Sequence, residues 1–254
     1  MPDVAVVEPS SNGRHGSRVP VPLPAVTMVL VSVIGLAAFA WPFLVDPTPG
    51  LGHAADAPFV FAGLVALVLV VMLVETTRGG LDAKAVAMLA VLAAVGAALR
   101  PLGAGTAGIE TGLFLLILAG RVFGAGFGFV LGTVTMFASA LLTAGVGPWL
   151  PFQMLAAGWV GAGAGLLPPL RGRGEVFVLS LYGVLGSFAF GMLMNLWFWP
   201  FLVEADSGLG FRAGAPFTEN LRRFVAFCVT TSFAWDTGRA VTTVALMLFA
   251  GERS

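Results

Sequence analysis

Apolar positions run along this chain in long, nearly unbroken blocks. Polar positions are confined to the short stretches between them. The first block covers Pro24 to Val45, the second Pro58 to Val74 and the third Ala83 to Leu99. A shorter apolar piece, Thr111 to Gly120, follows. A charge-free stretch from Val122 to Leu170 comes next, broken at GVGPWLP (Gly145 to Pro151) into Val122 to Thr143 and Phe152 to Leu167. The last two blocks are Val176 to Phe198 and Leu221 to Phe249. About 20 mostly apolar residues cross the hydrocarbon of a bilayer as a helix, so the pattern predicts eight membrane helices, the fourth short or tilted.

Composition agrees with a lipid solvent. Of the 254 residues, 58% are hydrophobic and only 10% charged, against about 25% charged in a soluble domain. Residues 1–23 are polar and rich in Pro, Gly and Ser, and read as a disordered cytoplasmic tail. The apolar block that follows has full span length, longer than a signal peptide's apolar core, and is read as a retained helix. The expected organisation is an all-α integral membrane protein: tail 1–23, a two-helix hairpin 24–79 and a membrane core 80–250.

Placing the N-terminus in the cytoplasm puts Arg14, Arg18, Arg78, Lys84, Arg121, Arg171, Arg173 and Arg253 on the inner side. Arg100, Arg212, Arg222 and Arg223 then lie outside. That bias follows the positive-inside rule. The formal net charge is zero, which removes any general pull towards nucleic acid. Cys228 is the sole cysteine, and His15 and His53 lie in the tail and a loop. No disulfide within the chain and no zinc, haem or other cofactor site is therefore expected.

GRVFGAGFGFVLG, Gly120 to Gly132, holds five glycines. A phosphate-cradling loop of the Walker type needs a lysine after its second glycine, and the one lysine, Lys84, lies elsewhere. The dinucleotide fingerprint needs a G-x-G-x-x-G spacing between a strand and a helix, which this run lacks. Gly120, Gly124, Gly128 and Gly132 instead recur every fourth residue, as on one helix face, while Gly126, off that face, reads with Gly124 and Arg121 as the tight inner turn between two spans. In lipid, small residues let helix backbones approach. Ala157, Gly161 and Gly165 repeat the device, as do Ala83, Ala87, Ala90, Ala94 and Ala98. These faces read as seams of a membrane bundle, the Ala face alternatively as a docking surface for another subunit.

Polar groups inside spans are costly and often functional. Asp236 and Arg239 stand one turn apart in the last block and read as a structural ion pair, with ligand contact as the alternative. Asn195 precedes Trp197, Phe198 and Trp199; Gln153 follows Trp149 and Phe152. Each cluster is either an interfacial aromatic belt or the wall of a pocket for an organic ligand. Arg100 and Glu110 flank the loop PLGAGTAGI at the same end. No serine in a G-x-S-x-G turn, no histidine within a span and no paired acidic motif marks an enzyme.

The order LRPLGAGTAGIETGLFLLILAGRVFGAGFGFVLG, then ASALLTAGVGPWLPFQMLAAGWVGAGAGLLP, after an Ala-rich helix, resembles the substrate-binding S component of an energy-coupling factor (ECF) vitamin transporter of the actinobacterial type. The resemblance covers about residues 80 to 250 and implies a six-helix core. Residues 24–79 would be an additional hairpin. It implies that the Ala83–Ala98 face docks on a transmembrane coupling subunit served by two ATPases. It places the ligand near the outer face under loops 100–110, 144–151 and 200–218. Arg100, Glu110, Trp149, Phe152, Gln153, Asn195, Trp197 and Trp199 become candidate ligand contacts. The Trp-rich, amide-bearing, charge-poor site suits cobalamin, with thiamine or its pyrimidine precursor next, for which Glu110 would supply a carboxylate. The competing reading is a self-sufficient secondary transporter with Asp236 as its ion or proton site.

Overall fold

The computed structural model describes residues 23–40, 43, 62–63, 65–71, 73–74, 77, 82–103, 108–202 and 207–251. The expected tail, most of the loop within hairpin 24–79, and the middle of loops 100–110 and 200–218 lie outside the described residues. Among the described residues there is no strand. Eight helices are labelled here: α1 (Leu23–Phe39), α2 (Ala83–Gly103), α3 (Gly112–Phe123), α4 (Ala125–Leu142), α5 (Leu150–Gly165), α6 (Arg173–Leu202), α7 (Phe217–Thr231) and α8 (Phe233–Gly251). Residues 65–71, between α1 and α2, are also helical. Ala83–Pro101, Ala125–Leu142 and Arg173–Pro200 are long and apolar enough to cross a membrane. The chain is an all-helical protein with the hallmarks of a membrane protein.

Helix α5 is the hub. It starts where Pro151 falls in its first turn, a position at which a missing N–H costs nothing. Leu155, Ala156, Ala157 and Ala164 are fully buried along it. Glycine makes this possible. A Cβ on Gly128 or Gly120 would collide with the Gly161 carbonyl, and one on Gly132 with the Ala157 carbonyl. Backbones of α3, α4 and α5 thus touch directly, and dispersion between them replaces the hydrophobic drive that lipid cannot supply.

This geometry corrects the single glycine seam. Gly124 has φ 93°, a conformation that glycine adopts without steric cost, and it ends α3 and starts α4. Nothing lies within 4 Å of where its side chain would be. Gly124 is a corner, and Gly120 belongs to a different helix from Gly128 and Gly132. All three still reach α5, because the corner folds α3 and α4 onto the same partner.

The last apolar block is also corrected. One expected span, Leu221 to Phe249, is two helices meeting at Ser232. The hydroxyls of Thr230, Thr231 and Ser232 donate back to the carbonyls of Ala226 (2.8 Å), Phe227 (2.6 Å) and Cys228 (3.2 Å). Such back-bonding bends helices, and here three consecutive residues do it.

The first helix is tied to the core. Trp159 Nε1 donates to Ser32 Oγ at 2.9 Å, and the Phe39 and Phe152 rings meet edge-on at 4.9 Å. On the opposite flank, Tyr182 of α6 donates to the Val160 carbonyl at 2.7 Å. At the far end of α3, Arg121 donates to the Leu167 carbonyl (2.7 Å) and to Glu175 Oε2 (2.9 Å), pinning the turn between α5 and α6. Helix α2 buries Leu89, Ala93 and Ala97. Its other face, with Ala83, Ala87, Ala90, Ala94 and Ala98, is exposed.

Candidate functional site

Five parts of the chain converge at one end of the bundle. Helix α6 presents Ser187, Phe190, Gly191, Met194 and Asn195, a set at three- and four-residue spacing on one face. The start of α8 presents Ser232, Trp235, Asp236 and Arg239 with the same spacing. Arg100 comes from the last turn of α2, Glu110 from the segment entering α3, and Gln153 from the first turn of α5. All of these except Ser187, together with Ile109, line a cavity of about 360 Å³. A second cavity of about 230 Å³ adjoins it, bounded by Ser139, Thr143, Gly145 and Trp149. Arg100 and Gln153 line both.

The charges form a network centred on Arg239, whose residue is 6% exposed. Its Nε donates to Glu110 Oε2 and its Nη1 to Asp236 Oδ1, both at 2.7 Å. Nη1 also reaches the Ser187 carbonyl at 3.3 Å, and the guanidinium lies 5.2 Å from the centre of the Phe190 ring, within cation–π range. Arg100 Nε stands 3.8 Å from Glu110 Oε1. That oxygen is buried and has no hydrogen-bond partner among the described residues.

Two glycines seat the network. A side chain at Gly191 would strike the Asp236 carboxylate, so the carboxylate rests on bare backbone of α6. Gly108, with φ 80°, presses against the Trp235 carbonyl. This contact carries Glu110 in over α8. Asn195 Nδ2 donates to Ser232 Oγ at 2.6 Å and approaches Cys228 Sγ at 3.3 Å, so its amide is committed to the bend between α7 and α8.

The expected residues therefore separate. Arg100, Glu110, Gln153, Asn195, Asp236 and Arg239 share the larger cavity, which joins the ion pair to the ligand candidates. Trp149 lines the smaller one and donates to the Gly145 carbonyl at 3.2 Å. Phe152 lines neither cavity: it is buried in the core beneath Trp197, at 5.6 Å between rings. Trp197 also lines neither, spanning from Phe152 to Trp149 at 6.4 Å.

Trp199 lines neither cavity. It is fully buried in a separate cluster with Phe224 and Phe211, and its Nε1 donates to the Leu209 carbonyl at 2.6 Å. Successive helix residues point about 100° apart, so Trp197, Phe198 and Trp199 cannot face one pocket. Phe190, Gly191, Met194, Ser232 and Trp235 are lining residues that the sequence reading omits. The signal for the α6 set was the spacing back from Asn195. No protein-family model, curated protein or solved structure matches this chain.

Proposed function

We propose that this chain is the substrate-binding S component of an ECF-type ABC importer, capturing a vitamin or a related cofactor precursor at the outer membrane face. The observation that carries this reading is the cavity at one end of an otherwise glycine-packed bundle, walled by two arginines, two carboxylates and two amides. Its volume lies in the range of roughly 300–1,000 Å³ usual for small organic ligands. Taken with α7 and α8 as one passage, α2 to α8 supply the six helices of such a core. The hairpin containing α1 is an addition fixed to α5.

The exposed Ala83–Ala98 face of α2 suits close contact with a transmembrane coupling subunit. Two ATPase subunits would supply energy, since Lys84 leaves this chain without a Walker loop. The N-terminus would be cytoplasmic, placing the cavity outside. Cobalamin is the favoured ligand. A thiamine-type ligand fits within the larger cavity alone.

Binding of radiolabelled cobalamin and thiamine to the purified chain in nanodiscs tests the reading. Absence of binding by either, and by a wider set of vitamins, would overturn it. The alternative, a secondary transporter with Asp236 as its ion site, is disfavoured by the pairing of Asp236 with Arg239 at 2.7 Å. Gradient-driven uptake by this chain alone would restore it.

A further inference from the structure

Within this network the hydrogen-bonding capacity and the charge are distributed unequally. Arg239 spends its donors on Glu110, Asp236 and the Ser187 carbonyl. Arg100 makes no hydrogen bond among the described residues, and its ion-pair contact to Glu110 is long, at 3.8 Å. The Gln153 side chain likewise makes none among the described residues. These two unspent groups form the wall common to both cavities. The charge, by contrast, is already balanced: the larger cavity is lined by two arginines and two carboxylates.

We infer that Arg100 and Gln153 anchor the ligand through a neutral carboxamide-type group rather than through a carboxylate, a phosphate or a cationic ring. A carbonyl oxygen on the ligand accepts from the Arg100 guanidinium, which offers five donors and no acceptor. An adjacent N–H on the ligand donates to the Gln153 side-chain oxygen. An anion would also bond Arg100, but it would leave a net negative charge among Glu110, Asp236 and itself in a poorly solvated site, where uncompensated charge is expensive. A cation would leave the opposite excess and would not use Arg100 at all. A neutral group with acceptor and donor side by side satisfies both anchors without disturbing the balance.

The inference rests on the proposed role of the cavity as a vitamin site, and the experiment separates the two. The full chain in nanodiscs is titrated with cyanocobalamin and riboflavin, which are neutral at their amide or imide groups. It is also titrated with nicotinate (a carboxylate without an amide), pyridoxal phosphate and thiamine (a cation). The expected result is binding from the neutral group alone. Arg100→Gln then weakens it roughly ten- to hundredfold, as for loss of a charge-assisted hydrogen bond, and Gln153→Leu about fivefold. Gln153→Leu leaves the charges untouched and carries the test if Arg100→Gln fails to fold. Tightest binding of nicotinate, pyridoxal phosphate or thiamine would overturn the ligand class while leaving the vitamin site standing. Neutral-ligand binding unchanged in a folded variant of either residue would overturn the anchors. Binding of no probe would overturn both readings.

Discussion

Arg239 and Glu110 lie 129 positions apart in the chain and meet through a 2.7 Å hydrogen-bonded ion pair. The contact closes the segment before α3 onto the first turns of α8. It also joins the local Asp236–Arg239 pair to Arg100, so that four charges separated in the sequence become one neutral group.

Removing the hub of that group should be costly. Arg239→Met strands the buried Asp236 carboxylate and the part-buried Glu110 carboxylate, and breaking a buried pair from one side costs about 3–5 kcal/mol. Glu110→Gln keeps an oxygen that can accept from Arg239 and should cost only about 1–2 kcal/mol. Thermal unfolding in detergent should rank them in that order. Equal midpoints for both variants and the parent would contradict the network's structural weight.

Gly161→Ala drives a methyl into the Gly128 carbonyl, a contact with backbone that no rotamer change relieves. Overpacking of this kind costs about 1–3 kcal/mol or more. Gly174→Ala, whose nearest neighbour would be a Leu170 side-chain atom 3.9 Å away, should be nearly neutral. Comparing the yield of monodisperse protein for the two variants checks the α4–α5 contact.

Trp149 and Trp199 should respond differently to truncation. Trp199→Ala empties a fully buried site and removes the bond to the Leu209 carbonyl, at about 3–5 kcal/mol. Trp149 is 38% exposed beside the smaller cavity. Its alanine variant should keep the parent's thermal midpoint and lose ligand affinity. The reverse assignment of the two losses would move the site to the α6–α7 cluster.

If the chain is the proposed S component, Ala90→Leu or Ala94→Leu should abolish uptake by the proposed transporter while ligand binding to the isolated chain persists. Both positions are exposed on α2, so the larger side chains disturb no internal packing. Uptake that survives both substitutions would remove the docking role from this face.

Much of the helix layout was legible in the sequence because lipid imposes a simple rule: apolar blocks of span length become helices whose backbones satisfy themselves. The limits of α2, α4 and α6 follow the blocks closely. The division at Ser232 was not legible as apolarity, since Leu221 to Phe249 reads as one block. Its cue was the hydroxyl run Thr230, Thr231, Ser232, whose bonds compete with the helix ladder. The glycine corner was half legible. The four-residue repeat marked close packing and the glycines around Arg121 marked a turn, but repeat spacing carries no sign of φ, and only the backbone takes Gly124 out of the seam and makes it the corner.

The site was legible as a list of residue types and not as an arrangement. Gln153, Asn195, Arg100 and Glu110 stood out because polar side chains near apolar spans are rare and expensive. Trp199 stood out as part of the aromatic run after Asn195 and packs elsewhere, because its direction depends on the rotation of α6 against α7. By itself the sequence determined an all-helical, lipid-adapted chain, its small-residue faces and the absence of a phosphate loop, all consequences of local composition and period. Tertiary structure alone decided that Glu110 closes on Arg239, that Gly191 seats Asp236, and that Arg100 and Gln153 keep their hydrogen-bonding capacity. Those outcomes depend on how helices distant in the chain rotate and approach, and backbone contact at glycine sets that approach.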